Sequence, residues 1–228
     1  MSLIINIETS GKACSVALSQ SGELIGSRYQ ISENYPHSQV LHVFIDEILK
    51  EKGLKPSELN AVSVSSGPGS YTGLRIGVSA AKGLCFALDI PLIEISTLLL
   101  IAKAASVIDS KAEFYIPMID ARRMEVYTQT FNTELTPMND ARPLIITEGL
   151  FSEYHSRQVI LCGDGSHKCK DAFSNNSNIN ILPSVLPLAE NMCQLAHKKF
   201  GEKQFVDVNY FEPFYLKEFQ SQSAFHKK

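Results

Sequence analysis

The stretch that decides the fold is Ser65-Ser66-Gly67-Pro68-Gly69-Ser70-Tyr71-Thr72-Gly73-Leu74-Arg75-Ile76-Gly77. The apolar run before it, residues 61–64, predicts a buried strand, and the Ala- and Leu-rich run after it, residues 78–88, predicts a helix. A glycine-rich turn at such a junction leaves backbone N–H groups that can bind an anion. The stretch lacks the Lys-Ser or Lys-Thr of a Walker loop and the serine placement of a nucleophile elbow. On spacing alone, an anion site and a plain tight loop are equally open.

The bulk composition is that of an ordinary soluble globular protein. Its 228 residues, 44% hydrophobic and 20% charged, fit one large domain or two small ones. With a net charge of −3 and no long basic run, the chain would need a partner to bind nucleic acid. The first residues predict a strand rather than a signal peptide, and no apolar run is long enough to span a membrane. Five cysteines without a CxxC pair indicate free thiols in a reducing cytoplasm.

The elements on either side of this stretch alternate between strand and helix patterns. Residues 3–7, 14–18 and 24–29 predict an antiparallel three-strand meander, and residues 38–52 carry one apolar helical stripe. After the second helix, residues 90–95 predict a strand, followed by a helix that runs to about Val107. This order predicts an α/β fold.

After a break at residues 109–111 the opening pattern returns. A predicted strand over 114–119 ends at Asp120, as the first strand ends at Glu8, and residues 124–131 predict a returning strand. The remaining predicted elements are a helix over 148–155, a strand over 158–161, a Gly163-Asp164-Gly165 turn, and helices near 167–173 and 186–200. We therefore predict a degenerate internal duplication. Its lobes cover residues 1–108, completed by about 205–220, and 109–204, with a tail over 221–228.

Small residues line one side of the second helix. Gly73, Gly77 and Ala81 lie four residues apart, so this side should be flat and allow another backbone to come close. A glycine inside a helix costs about 1 kcal/mol relative to alanine, which indicates a packing reason for the two glycines. The neighbour is either the chain's own sheet or first helix, or a helix of another protein.

Several motifs together resemble those of one known family. They are Ile5-Asn6-Ile7-Glu8-Thr9-Ser10, Cys14-Ser15-Val16-Ala17-Leu18, the run from Ser66 to Gly77, Lys82-Gly83-Leu84, Asp120-Ala121-Arg122-Arg123, Glu125-Val126-Tyr127, Gly163-Asp164-Gly165 and Phe214-Tyr215-Leu216-Lys217. This set resembles the TsaB (YeaZ) family. The chain departs from that pattern at Glu8, where the family usually has Asp, and at Lys217, where it usually has Arg.

The resemblance implies both a fold and a function. The fold would be actin-like and ribonuclease-H-like, with two duplicated lobes of mixed sheets flanked by helices, as in sugar kinases. The chain would be a non-catalytic subunit that binds a TsaD-type transferase and, with a TsaE-type ATPase, supports synthesis of N6-threonylcarbamoyladenosine at position 37 of tRNAs reading ANN codons. It would be cytoplasmic, bind no cofactor alone, meet ATP or ADP at the interface with TsaD, reach tRNA through the complex, and form a homodimer when isolated.

The resemblance also implies where the partner interface lies, and it implies that this chain lacks the metal site of TsaD proteins. TsaD proteins bind a metal through a His-x-x-x-His pair, and those positions align with Thr97 and Ile101. Isoleucine has no lone pair, so we expect no metal here. The two helices that would meet TsaD carry the predicted interface residues Val40, Leu41, Phe44, Tyr71, Thr72, Gly73, Arg75, Ile76, Gly77 and Ala81.

A small actin-like phosphotransferase or ATPase is the alternative function. Its carboxylates would be Glu8 and Asp120 at strand ends facing the cleft between the lobes. The predicted cleft residues are Glu8, Thr9, Ser10, Asp120, Arg122, Arg123, Gly163 and Asp164. The lack of a long glycine-rich hairpin argues against this chemistry, and a glycoprotease role lacks both metal ligands and a nucleophile–base pair. We expect Arg122 and Arg123 to pair with Glu125 and Asp120; contact with tRNA or the partner's active-site mouth is the alternative.

Overall fold

A computed structural model describes residues 2–32, 37–147, 150–151, 154, 156–173 and 176–217. The helix predicted over residues 148–155 falls mostly outside these ranges, and the tail predicted over 221–228 falls entirely outside them. No helix in the described ranges is both long and apolar enough to cross a membrane.

The first sheet has five strands in the order β3-β2-β1-β4-β5. They are β1 Leu3–Glu8, β2 Ala13–Gln20, β3 Glu23–Ile31, β4 Ala61–Gly67 and β5 Leu92–Ser96. The first three form the predicted antiparallel meander, which is confirmed, while β4 runs parallel to both β1 and β5. The carboxyl ends of β1, β4 and β5 therefore meet at one edge of the sheet.

Three helices follow the predicted pattern closely. They are α1 His37–Glu51, α2 Tyr71–Leu88 and α3 Thr97–Ile108. Ser70 caps α2 because its hydroxyl accepts the Gly73 N–H at 3.2 Å, and the C-cap after Leu88 is Asp89, whose φ of 53° lies in the left-handed region. The apolar stripes of α1 and α2 pack together against one face of the sheet, where they form its main core.

The second sheet repeats the plan of the first. Its strands are β6 Phe114–Asp120, β7 Glu125–Thr128, β8 Phe131–Asn132, β9 Arg142–Ile145, β10 Val159–Cys162 and β11 Ile179–Leu182. The order β9-β7-β6-β10-β11 matches β3-β2-β1-β4-β5, with β10 parallel to β6 as β4 is to β1. The predicted duplication is confirmed. The single strand predicted over 124–131 is instead two strands, β7 and β8, and β9 and β11 were not predicted.

The last helix packs on the first sheet. A 3-10 helix, Ala189–Met192, leads into α5, Cys193–Gly201, and the predicted helix over 186–200 starts late because the backbone of Leu188 is extended. Ala196 and its neighbours bury their side chains against Ile4 and Ile93 of the first sheet. Residues 189–201 thus lie on the first lobe, although the predicted boundaries place them in the second. The division into domains itself stays a prediction. A 3-10 helix, Asp164–Cys169, and the short α4, Lys170–Phe173, complete the second lobe.

Candidate functional site

The small-residue side of α2 faces the chain's own first strand. A Cβ atom added at Gly73 would overlap the Thr9 carbonyl oxygen, and one added at Gly77 would overlap the Thr9 hydroxyl. That hydroxyl donates a hydrogen bond to the Gly73 carbonyl at 2.8 Å. Ala81 is also fully buried. This corrects the expectation that Gly73, Gly77 and Ala81 meet a partner, because their close approach is to the end of β1.

One flank of α2 is covered by the C-terminal segment, residues 206–217. The Tyr71 and Tyr215 rings lie 4.9 Å apart, and the Arg75 guanidinium sits 4.1 Å above the Tyr71 ring. Arg75 also donates a hydrogen bond to the Tyr215 hydroxyl at 3.3 Å. Tyr71 and Arg75, which were predicted to contact a partner, are therefore engaged within the chain. Arg75 nevertheless remains exposed.

Backbone and side-chain hydrogen bonds hold this segment in place. The Phe214 N–H donates to the Ser66 carbonyl at 2.7 Å, and the Val206 N–H donates to the Leu92 carbonyl at 3.0 Å. Between these points, the Lys82 ammonium donates to the carbonyl of Phe211 at 3.0 Å. The segment thus runs from the edge strand β5, along α2, to the turn after β4.

The opposite side of α2 is open. Thr72, Ser79 and Gly83 are exposed there, and Phe86 leaves 80% of its surface exposed. A Cβ atom added at Gly83 would meet nothing within 4 Å. These positions follow one another at helical spacing, so they form one continuous stripe.

Helix α1, which packs beside α2, contributes further apolar residues next to this stripe. Val40 and Phe44 are half-buried and join Ile76 at the border of the main core, while Val43 is 48% exposed. Leu41, a predicted interface residue, is fully buried in the core, which corrects that assignment. We call the resulting surface the α1–α2 surface; its residues are Val40, Val43, Phe44, Thr72, Ile76, Ser79, Gly83 and Phe86. Val43, Ser79, Gly83 and Phe86 were not predicted to belong to it, because only their exposure in the structure identifies them.

Two backbone N–H groups of the glycine-rich turn are hydrogen-bonded within the chain. The Ser70 N–H donates to the Ser10 carbonyl at 2.7 Å, and the Gly73 N–H is taken by the Ser70 hydroxyl. These bonds favour a tight loop over an anion site. A pocket of about 230 Å³ lies beside it, lined by His37, Ser70, Thr72, Gly73 and Ile76. That volume is below the roughly 300–1,000 Å³ of typical ligand pockets. Binding of ATP or ADP at a partner interface stays a prediction.

Glu8 is a carboxyl sealed inside the first lobe. It is 0% exposed, and its Oε1 accepts the Ser10 N–H at 2.5 Å. Its Oε2 has no hydrogen-bond partner among the residues that the structure describes. Burial raises the pKa of Glu8 to about 7, against the lowering influence of the nearby Ser10 and Ser65. The expectation that Glu8, Thr9 and Ser10 line an open cleft is corrected, because all three are buried beneath α2.

Asp120, the counterpart of Glu8, is in contrast exposed and ion-paired. Its Oδ1 lies 2.7 Å from the Lys168 ammonium, and its backbone N–H donates to the Asp164 carboxylate at 3.0 Å. Burial raises the pKa of Asp120, but hydrogen bonds from Lys168 and the Arg122 backbone outweigh it, so the net pKa is below its usual value. Gly163 adopts a φ of 92° beside this group. No hydrogen bond or ion pair in the described ranges joins this group to Glu8, Thr9 or Ser10.

The two arginines after Asp120 do not form the expected ion pairs. Asp120 accepts from the backbone N–H of Arg122 and from Lys168, whereas Glu125 pairs with Lys217. Neither the Arg122 nor the Arg123 guanidinium makes an ion pair or hydrogen bond with any residue that the structure describes. The preferred interpretation of these arginines is therefore wrong. Lys168, only 7% exposed, was not predicted, although its place four residues after Asp164 put it on the same turn.

The two positions that align with the metal ligands of TsaD proteins lie in the protein interior. Thr97 and Ile101 are both buried on α3. Across the described ranges, no group of three or more His, Cys, Asp or Glu side chains is arranged to hold a metal ion.

Sequence comparisons place the chain in a family. Residues 32–220 match the family model described as TsaD, tRNA N6-adenosine threonylcarbamoyltransferase. A curated relative from Haemophilus influenzae, named tRNA threonylcarbamoyladenosine biosynthesis protein TsaB, is 32% identical over 226 residues. That alignment covers 94% of this chain and 93% of the relative.

Solved structures agree with the sequence comparisons. YeaZ from Pseudomonas aeruginosa matches with a TM-score of 0.83 and 28% identity, over 95% of this chain and 100% of that one. The activator of the 2-hydroxyisocaproyl-CoA dehydratase from Clostridium difficile, solved with bound ADPNP, matches with a TM-score of 0.50 and 12% identity over 89% and 97%. This second likeness is of fold alone. The fold is the actin-like α/β fold, and the chain belongs to the TsaB (YeaZ) family.

Proposed function

We propose that this chain acts in tRNA threonylcarbamoyladenosine biosynthesis as the subunit that binds and supports a TsaD-type transferase. The observation that carries the proposal is the α1–α2 surface, with its open glycine at Gly83 and its largely exposed Phe86. The names of the TsaB relatives support the pathway, and the match to the TsaD family model supports a partner built on the same plan.

The chemistry of this surface suits a helix of another protein. Ser79 and Gly83 are small, so a second helix can approach α2 closely, and Phe86 offers a large apolar side chain to bury. A partner with the same fold would present an equivalent helix pair. Isolated copies would use the same surface to form a homodimer around a two-fold axis. A TsaE-type ATPase would join the complex, tRNA would bind to the assembly in the cytoplasm, and modification would occur on tRNAs reading ANN codons.

The phosphotransferase alternative has less support. A carboxylate that orients Mg²⁺ or activates a hydroxyl must reach its ligand, whereas the Glu8 side chain is 0% exposed. Its pKa of about 7 also leaves it largely neutral at slightly acidic pH. A subunit without catalysis of its own is therefore the function that we propose.

A pair of glycine substitutions tests the interface. Gly83→Arg places a bulky cation on the α1–α2 surface, one helical turn before Phe86, and Gly201→Arg places one at the end of α5, where an added Cβ atom likewise meets nothing within 4 Å. Arginine is a better helix former than glycine by nearly 1 kcal/mol, so both variants should fold. Circular dichroism checks this, and titration calorimetry with the TsaD-type transferase measures binding.

The two variants should differ in binding and in activity. We expect Gly83→Arg to weaken the complex by at least about tenfold, because a bulky charge beside Phe86 prevents the close approach of a second helix. It should lower the yield of modified tRNA in a reconstituted reaction by a similar factor at limiting concentration, while Gly201→Arg matches the wild type. Equal binding by both variants would remove the α1–α2 surface from the proposal. Full modification without the chain would remove the supporting role.

A further inference from the structure

The turn between β6 and β7, residues 121–124, holds two consecutive arginines in an unfavourable backbone conformation. Arg122 has a φ of 70° and Arg123 a φ of 49°, the left-handed region that bulky side chains rarely adopt. Glycine or asparagine normally occupies such positions. The hydrogen bonds of the turn use only backbone groups of Arg122, whose N–H donates to Asp120 Oδ1 and whose carbonyl accepts the Glu125 N–H at 3.1 Å. The fold therefore does not explain why the side chains are arginines.

The charges around the turn leave both guanidinium groups available. Arg122 and Arg123 are exposed and make no ion pair or hydrogen bond with any residue in the described ranges. Of the nearby carboxylates, Asp120 pairs with Lys168 at 2.7 Å and Glu125 pairs with Lys217. Asp164 accepts the Asp120 backbone N–H and has no ion pair among the described residues, so four cationic side chains face three carboxylates here. Elsewhere in the chain, Arg157 pairs with Glu113 at 2.7 Å. The turn is thus a locally positive point on a chain whose net charge is −3.

The duplication supplies an internal comparison. The corresponding turn of the first lobe, residues 9–12 between β1 and β2, lies under α2, and Thr9 and Ser10 are buried. Between β10 and β11, the residues that the structure describes form only a 3-10 helix and the four-residue α4, so no long helix among them takes the place over the turn at 121–124 that α2 takes in the first lobe. The same position of the repeated plan is therefore closed in one lobe and open, with two free arginines, in the other.

We propose that the turn at residues 121–124 binds the phosphodiester backbone of RNA, through the guanidinium groups of Arg122 and Arg123. This inference rests on the proposed function, which brings the chain next to tRNA. A guanidinium group presents a planar fork of donors that matches phosphate oxygens, and a short hairpin turn holds two such groups side by side. Because the chain as a whole is acidic, contact with RNA requires a local positive site of this kind.

The test uses the complex of the full chain with its TsaD-type transferase. Anisotropy of labelled tRNA gives the dissociation constant over a series of salt concentrations. Arg122→Asn with Arg123→Gly removes both charges and places residues suited to positive φ, so this double variant should fold and melt at a higher temperature than the wild type. Arg122→Lys with Arg123→Lys keeps the charges but not the planar forks. Arg142→Ala is the control, because Arg142 is exposed at the far end of the β7–β9 pairing.

We expect the Asn/Gly variant to bind tRNA about tenfold more weakly at low salt, and the slope of log K against log salt to fall by about 1 for each arginine lost. The Lys/Lys variant should keep most of the slope, and Arg142→Ala should match the wild type. An unchanged slope in the Asn/Gly variant overturns the proposal. A weaker complex between the two proteins with an unchanged tRNA slope also overturns it, and assigns the turn to an acidic protein surface. If the complex does not form at all, the proposed function fails. The same tRNA titration with the isolated chain then tests RNA binding by the turn, and an unchanged slope in the Asn/Gly variant again overturns it.

Discussion

Replacing Glu8 with Gln should remove a dependence of stability on pH. The pKa of Glu8 rises from 4.5 to about 7 on folding, because the carboxyl is buried. The folded state therefore holds a proton that the unfolded state releases between pH 4.5 and about 7. Stability is greatest below pH 4.5 and falls as the pH rises through this window. A shift of about 2.5 pKa units corresponds to roughly 3 kcal/mol of unfolding free energy.

The Gln side chain is neutral at every pH and has nearly the shape of a protonated Glu. Its carbonyl can accept the Ser10 N–H that Glu8 Oε1 accepts now, and its amide can donate to the hydroxyls of Ser10 and Ser65, which have no other partner among the described residues. We expect Glu8→Gln to equal the wild type near pH 4.5 and to exceed it by roughly 3 kcal/mol at pH 8.

Urea unfolding at a series of pH values measures this difference. The control is Asp120→Asn, which should act in the opposite direction: Lys168 helps to hold the pKa of Asp120 below its usual value, so the ion pair stabilises above that value and is lost on acidification. Parallel stability curves for Glu8→Gln and the wild type would show that Glu8 is ionised in the folded protein. The reasoning about its sealed environment would then be wrong.

Two further predictions concern packing and the thiols. Gly77→Ala should destabilise the protein by about 1–3 kcal/mol, because the new methyl overlaps the Thr9 hydroxyl, whereas Gly83→Ala should stabilise it by up to about 1 kcal/mol. The midpoints of urea unfolding compare the two variants, and equal shifts would contradict the close packing of α2 on Thr9. All five cysteines are buried, and burial raises the pKa of Cys14 to about 12, so iodoacetamide should label none of them in the folded protein and all of them in urea, as mass spectrometry would report; labelling of the native chain would refute this.

Periodicity predicted the first lobe well and the second lobe partly. Within the meander, Cys14, Val16 and Leu18 of β2 alternate with smaller residues, and the stripe of α1 contains five buried residues at helical spacing. The missed strands β9 and β11 have only four residues each. Pro143 within β9 argues against a strand in the sequence, yet β9 is an edge strand, where a proline is tolerated.

Spacing predicted the flat side of α2 but not its direction. Small residues four apart show that a backbone comes close, without showing whose backbone it is. The stronger signal was the larger apolar residues beside them: Leu74 and Val78 lie on the same half of the helix as Gly77, and a half that carries both faces the core. The exposed stripe was harder to identify, because Ser79 and Gly83 look like ordinary surface residues until Phe86 is seen to be exposed.

The contacts on the inner side of α2 set the position of its outer side, and this determines which substitutions can test the interface. Gly73 and Gly77 let the helix rest on Thr9, the residue after Glu8, and that contact sets the height of α2 above the sheet. A side chain at Gly77 would lift the helix and move the α1–α2 surface with it. A loss of partner binding in such a variant could therefore result either from the displaced surface or from a direct contact at Gly77. Gly83 has no neighbour within 4 Å of an added Cβ atom, so a substitution there changes the surface and leaves the inner contact intact. Only binding that Gly83 variants lose without any loss of stability therefore identifies the outer face of α2 as the contact.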